Sequence, residues 1–427
     1  MSQREVVVTG AGLTTPLGAS VEQNWLNLKS LKTGIGYYPK NGLPACFQHY
    51  GKVGLFQLPP PAAPHLAAQM KFLNRGALLG FAAVAEAVEQ ARPELPTIAP
   101  DRRALYLASG DFTKVGYDFL YPATQEGTAA QGVDCEKLNQ AALVKVNPFF
   151  LLESIANNLF SFLSAFYEFR GPNTSLASLS PYGSQALELA YRTIQEGRAD
   201  VALAVGYGNW ITEIPLLELK ELGLISKCDS GTSSFKPFDR SRDGFIPAEG
   251  AAALFLESAE MATQRKAAVL GAIKGCGNSI DILPGSSLGV PQTICARSIR
   301  LAMEDAGCDA GDLAFISGHG SATIKGDRSE LRSISEFLSA EREHVAVCGL
   351  KPYTGHMGAA SDLAEIVFGV KSLEAGMIPA TLNFAQTDRE FSELRICDRH
   401  QPGGKNLFLS ISYGLGGQSS CVVIGIH

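Results

Sequence analysis

Long uninterrupted apolar runs are missing from this 427-residue chain. The most apolar long segment, 148–169, is broken by Glu153, Asn157, Asn158, Ser161 and Ser164, which would strand polar groups in hydrocarbon. It therefore reads as a buried or interface helix, and no membrane span is expected. A charge excess is missing too. The net charge of −6 offers no electrostatic footprint for nucleic acid or an anionic membrane surface. The nine cysteines contain no Cys-x-x-Cys pair and the seven histidines no paired spacing, so free buried thiols are expected and a structural metal site is not. The opening residues lack the basic-then-apolar layout of a secretory signal, and a cytoplasmic protein is expected. These absences leave a small molecule, or a substrate carried by another protein, as the partner.

The chain does hold 46% hydrophobic residues and 44 glycines, which fits a compact α/β protein. At about 100 to 200 residues per domain, its length suggests two or three units or one large duplicated one. Strand-like runs at 5–9, 104–108, 201–205 and 251–257 alternate with helical patterns at 19–31, 72–91 and 151–169. The remainder repeats the theme, with strands at 267–273, 314–317, 344–347 and 421–426 and helices at 293–306 and 359–375. Both parts end in a glycine-bearing loop, 235–250 or 410–417, followed by an apolar strand. This alternation predicts a largely parallel sheet in two similar halves, 1–258 and 259–427, packed on each other.

The chain is organised around 171–190, GPNTSLASLSPYGSQALELA. Residues 176–179 are small and apolar enough for a buried strand, and a helical pattern follows from Gln185. Ser180 then falls at the helix N-cap and Pro181 at the first helical position. Ser180 is either a capping group or a nucleophile, set at the positive end of the helix dipole beside backbone N–H groups able to bind an oxyanion. His319, between Gly318 and Gly320, and His356, after Thr354 and Gly355, stand directly behind strand-like runs where glycines let a ligand approach. Each can equally be a hydrogen-bonded structural group. Asp327, Glu330 and Glu336 read as a solvated helix start. Two glycine motifs fail on context. Gly10-Ala11-Gly12 continues to Thr15 and Pro16 where a dinucleotide loop needs glycine and a helix, and GSSLG at 285–289 is flanked by Pro284 and Pro291 instead of a strand and a helix.

Seven segments in order resemble the β-ketoacyl-acyl carrier protein synthases of the thiolase superfamily, across nearly the whole chain. They are VVVTGAGLTTPLG at 6–18, PFF at 148–150, RGP at 170–172, FDRSRDGFIPAEGAA at 238–252, HGSAT at 319–323 followed by Asp327 and Glu330, Lys351 with TGH at 354–356 and then Glu365, and SYGLGG at 412–417. The resemblance implies a five-layered αβαβα fold of two duplicated halves. It implies a homodimer, or a heterodimer with a cysteine-containing ketosynthase, with the helix near 151–169 close to the partner. The substrate would be carried on the phosphopantetheine of an acyl carrier protein, with no other cofactor and no metal. His319 and His356 would hydrogen-bond the thioester carbonyl of a malonyl-carrier and stabilise the enolate left when CO2 departs, held in place by Lys351, Asp327 and Glu365. The backbone N–H groups of Ser180 and Leu415 would form an oxyanion hole, in a gating turn with Tyr413, Gly414 and Gly416.

Two departures stand out: Ser180 occupies the family's nucleophilic cysteine position, and Leu415 the position of its gating phenylalanine. A helix N-terminus contributes at most ~2 kcal/mol, and ~1.4 kcal/mol is one pKa unit. That shift yields useful thiolate at neutral pH but essentially no alkoxide. Ser180 would need a general base, which on the sequence would have to be His319 or His356. The expected function is a non-elongating, chain-length-factor-type partner of an active ketosynthase in fatty acid or polyketide (polyene) biosynthesis. The alternatives are a malonyl-carrier decarboxylase and a serine-dependent acyltransferase. Standard elongation requires the thiolate that position 180 lacks.

Overall fold

The computed structural model describes residues 4–40, 42–60, 64–110, 116–153, 155, 157–177, 180–282 and 289–426. Ten strands form its main sheet: β1 (Val6–Thr14), β2 (Arg103–Ser109), β3 (Asn173–Ala177), β4 (Val201–Asn209), β5 (Glu249–Ser258), β6 (Gly271–Ile280), β7 (Leu313–Gly318), β8 (Ala346–Gly349), β9 (Leu407–Tyr413) and β10 (Gln418–Gly425). They run in the order β8-β7-β9-β10-β6-β1-β5-β4-β2-β3. Each half of that order follows one plan. β1 pairs antiparallel with β5 and β5 with β4, then β4, β2 and β3 run parallel. Likewise β6 pairs antiparallel with β10 and β10 with β9, then β9, β7 and β8 run parallel. Only Val7–Ala272 and Val8–Gly271 stitch β1 to β6, so the ten strands act as two duplicated five-stranded sheets.

Six principal helices complete the layers: α1 (Arg75–Ala91), α2 (Asn158–Tyr167), α3 (Tyr182–Gln195), α4 (Ala296–Ala306), α5 (Ile324–Leu338) and α6 (Ala359–Glu374). α1 covers the outer face of the first sheet, α4 and α5 that of the second, and α3 and α6 fill the space between the sheets. The expected α/β, thiolase-like αβαβα order is therefore present, but the sheet is mixed instead of largely parallel, with five antiparallel pairings to four parallel. α6 has the composition of a sandwiched helix, apolar or small on every side until Lys371 and Glu374 except for the buried Asp362 and Glu365. Asn74 caps α1 by accepting from the Ala77 N–H at 2.8 Å. Among the described residues no helix is long and apolar enough to cross a membrane.

The Gly10-Ala11-Gly12 stretch lies inside β1, where its glycines let α1 come close. A Cβ on Gly12 would sit 1.8 Å from the Ala83 carbonyl oxygen, and one on Gly10 2.1 Å from that of Ala87. The glycines serve packing and form no phosphate loop.

Three local expectations are corrected. β3 spans Asn173–Ala177, not 176–179, and lies at the sheet edge half exposed, which suits its polar residues Asn173, Thr174 and Ser175; residues 178 and 179 lie outside the described ones. Ser410–Tyr413, expected in a turn, belongs to β9. Its serines sit inside a buried strand, and the Ser412 hydroxyl meets that of Ser184 at 3.2 Å. The segment 151–169 holds a shorter helix, α2, whose Phe162 packs edge-on against Phe81 of α1 at 4.9 Å. The GSSLG motif lies largely outside the described residues.

Gly12→Ala is expected to cost about 1 to 3 kcal/mol in urea unfolding, because strand and helix must separate. Gly311→Ala, with nothing within 4 Å of the added Cβ, is expected to stay within about 0.5 kcal/mol of the parent. Equal stability of the two variants would refute this account of β1.

Candidate active site

The ends of β3, β7, β8 and β9 and the starts of α3 and α6 converge on one cavity of about 90 Å³. Ser180, His319, His356, Tyr413 and the turn Gly414–Gly417 line it, with Trp210, Leu224, Phe245 and Ile294 as apolar wall. α3 and α6 cross so closely that a Cβ on Gly183 would lie 2.1 Å from the Ala359 carbonyl oxygen. The Gly414–Gly417 turn is equally tight: a Cβ on Gly414 would lie 1.8 Å from the Ser180 carbonyl oxygen, and Gly416 and Gly417 take φ of +96° and +83°. The motif SYGLGG thus lies directly against Ser180, with Leu415 at the cavity wall and 37% exposed.

Ser180 is not a cap. α3 starts at Tyr182 behind Pro181, and the residue at its N-cap makes no side-chain cap. The buried Ser180 hydroxyl instead donates to Asp362 Oδ1 at 2.8 Å, with the Gly358 carbonyl 3.4 Å away. Asp362 also accepts the Gly183 N–H at 3.1 Å and a hydrogen bond from Ser412. Burial raises its carboxyl to about 6, although Lys351 and these hydrogen bonds favour the ion. Asp362 was not singled out from the sequence, where it reads as an ordinary acidic residue in the first turn of a helix.

His319 and His356 come together, ring centroids 5.2 Å apart and both buried. Lys351 Nζ lies 3.2 Å from His319 Nδ1 and donates to the His319 carbonyl at 2.6 Å. The Gly358 N–H donates to His356 Nδ1 at 3.2 Å. These partners assign each Nδ1 as acceptor and leave each Nε2 to carry the ring proton. Burial, then the Lys351 charge, pushes both imidazoles well below their ordinary pKa, so both are neutral donors; His356 further lowers His319. The loop before β5 clamps His356. The His356 N–H donates to the Ile246 carbonyl and its carbonyl accepts from the Ala248 N–H, both at 2.9 Å, while the tilted rings of Trp210 and Phe245 pack on it with centroids at 4.8 and 4.7 Å.

The supporting charges divide differently from the expectation. Lys351 holds His319, and Glu365 holds Lys351 through contacts of 2.9 and 3.1 Å, as expected for that histidine. Neither one hydrogen-bonds His356 among the described contacts. Asp327 holds no histidine. It accepts from the Phe238 N–H at 2.7 Å and from Ser321 at 3.2 Å, and faces the buried Arg242 at 3.7 Å. It anchors the 238–250 loop beneath the site. The carboxyl that orients His319 is Glu330, which accepts the His319 and Gly320 N–H groups at 2.5 and 3.0 Å. The solvated-helix reading fails because α5 turns this side onto the core: Asp327 and Glu330 are fully buried, and only Glu336 faces solvent. Tyr413 stacks on His319 at 4.2 Å and its hydroxyl meets Ser321 at 3.1 Å, joining the gating turn to the histidine.

A duplicated αβαβα fold with two neutral imidazoles facing a residue at a helix start defines a thiolase-type acyl-transfer scaffold. The chain belongs to the β-ketoacyl synthase family: residues 3–262 match the β-ketoacyl synthase N-terminal domain and 270–385 the C-terminal domain. It is 29% identical to a putative mitochondrial 3-oxoacyl-[acyl-carrier-protein] synthase of Schizosaccharomyces pombe over 98% of both chains, and 25% identical to 3-oxoacyl-[acyl-carrier-protein] synthase 2 of Staphylococcus aureus over 99% of both. Its fold matches a chain of AntDE:AntF, a type II polyketide acyl carrier protein in complex with its ketosynthase, with TM-score 0.85, 24% identity and full coverage of both chains. It also matches the ishigamide ketosynthase/chain length factor with TM-score 0.84, 22% identity and full coverage of both. The chain is thus a ketosynthase-family protein.

The buried acids set a pH dependence of stability. Burial raises Glu330 to about 8, with Asp327 adding to the effect, and raises Asp327 and Asp362 to about 6. At these acids the folded chain keeps protons that the unfolded chain releases, so their contribution to stability is expected to fall as pH rises from about 4 to 8, while the two unprotonated imidazoles act in the opposite sense below their ordinary pKa. Glu330→Gln is expected to flatten that slope by up to ~1.4 kcal/mol per pH unit, read by urea unfolding at several pH values. An unchanged slope would mean that Glu330 is ionised throughout.

Proposed function

We propose that this chain is the non-condensing half of a ketosynthase pair, a chain-length-factor-type subunit that handles acyl groups on the phosphopantetheine of an acyl carrier protein. The observation that carries the reading is the residue at position 180. It is a hydroxyl that donates to Asp362, where condensation uses a standing thiolate to take up and hand on the acyl chain. A relative of the same fold is a ketosynthase/chain length factor, and another was solved with an acyl carrier protein. In this reading the halves 1–258 and 259–427 are the functional units. The exposed Phe149, Leu152 and Ile155 ahead of α2 lie against the partner subunit, and the Ser180 and Leu415 N–H groups face the thioester carbonyl.

The retained histidines favour a second reading, decarboxylation of a malonyl-carrier. Two neutral Nε2–H donors in a water-poor pocket can stabilise the enolate without any nucleophile.

The chain alone is expected to make no 3-oxoacyl-carrier from acyl- and malonyl-carrier, and to change product length when a cysteine-bearing ketosynthase is added; condensation by the chain alone would overturn the proposal. If decarboxylation occurs, His319→Ala is expected to slow conversion of malonyl- to acetyl-carrier ~100-fold or more. Carrier masses read by mass spectrometry separate these outcomes.

A further inference from the structure

We infer that Ser180 and Asp362 form a nucleophile and general-base pair that hydrolyses short acyl thioesters, an activity separate from both subunit pairing and decarboxylation. The inference rests on the reading that the cavity receives carrier-bound thioesters.

Four observations lead to it. The Ser180 hydroxyl has two acceptors beside it, Asp362 Oδ1 at 2.8 Å and the Gly358 carbonyl at 3.4 Å. Its proton therefore points toward α6, and its lone pairs are left toward the cavity it lines. The histidines are unsuited to serve as its base. Each uses the Nδ1 lone pair on Lys351 or on the Gly358 N–H, and each Nε2 carries the ring proton. Asp362 is well placed to be that base, because its second oxygen is fixed by the Gly183 N–H at the start of α3 and Ser412 of β9 donates to it. The charged groups around it are Lys351, which favours the ion, and Glu365 one turn along α6. The facing imidazoles are neutral. Finally, a cavity of about 90 Å³ in front of Ser180 has room for a short acyl group or for water.

The chemistry balances without an added oxidant or cofactor. Ser180 Oγ adds to the thioester carbon as its proton passes to Asp362, and the carbonyl oxygen becomes an oxyanion. The C–S bond then breaks, and the departing pantetheine thiolate takes the proton from Asp362, leaving an acyl-serine. A water gives its proton to Asp362 and adds to the ester carbon. The bond to Ser180 breaks, and Ser180 recovers the proton. The sum is thioester plus water to carboxylic acid plus thiol. For a subunit in such a pathway, this would clear carriers loaded with short acyl groups.

The test uses the full chain with acetyl- and hexanoyl-pantetheine as probes, following thiol release and intact mass. Release is expected above the buffer rate, rising with pH through about 6 as Asp362 ionises and then levelling. Ser180→Ala is expected to abolish release and any acyl adduct. Asp362→Asn is expected to slow release ~100-fold or more and to flatten the pH profile. Should Asp362→Asn fail to fold, the parent's pH profile together with Ser180→Ala still decides the question. Equal release by the parent and Ser180→Ala, or no release at all, would overturn the proposal. So would a folded Asp362→Asn variant with unchanged rate and profile, which would leave Asp362 as a packing partner of the serine. Product-length control by Ser180→Ala in the presence of a condensing partner reports separately on the pairing role, so the two readings can fail independently.

Discussion

Everything at the site depends on the close crossing of the two central helices at their first turns. α3 and α6 meet there because Gly183 has no Cβ to hold the Ala359 carbonyl away, and Gly206 of β4 gives the same carbonyl room from the sheet side. The crossing brings Ser180 and His356 to one small cavity, with Asp362 directly behind Ser180, from two helices that start more than 170 positions apart in the chain. It also aims two helix N-termini at a single point, so the buried Asp362 carboxylate is held by a backbone N–H as well as by side chains. A bulkier residue at 183 would push the helices apart and press on Asp362 itself, since a Cβ there would already lie 2.9 Å from the Asp362 Cβ.

Around that crossing the charges are arranged in series. Glu365 holds Lys351, Lys351 holds His319 by ring and carbonyl, and Glu330 holds the His319 and Gly320 N–H groups from below. Burial makes the ammonium work in two ways. It fixes the imidazole tautomer, and its charge keeps both rings unprotonated. The result is a pair of neutral hydrogen-bond donors, suited to a carbonyl oxygen on which negative charge develops. The 238–250 loop, which fills in the first half the place that the Gly414–Gly417 turn fills in the second, closes this arrangement through Asp327 and the His356 clamp.

Much of this was legible in the chain. Strand and helix alternation, the duplicated plan and both histidines follow from local pattern, because each is read over a few adjacent residues, while Lys351, Glu365 and the SYGLGG turn follow from the family resemblance that the motifs carry. The errors share one cause. Asp327 and Glu330 read as solvated acids, since helical charge spacing does not reveal which face the core covers. Ser410–Tyr413 read as a turn because serines mask a strand buried on both sides. Ser180 stayed open between cap and nucleophile because the sequence shows a good cap residue ahead of a helix and not the carboxylate waiting across the crossing.

Local pattern in the chain was enough for the layered fold, its family and most of the groups that face the cavity, since propensity, periodicity and motif act over short stretches. How those groups pair is a property of the folded molecule. Asp362, separated from Ser180 by 182 positions, becomes its hydrogen-bond partner, and Asp327 goes to a loop instead of a histidine. Burial then sets the protonation of each. Pairing and desolvation arise from surroundings assembled out of distant segments, and no local stretch of the chain contains them.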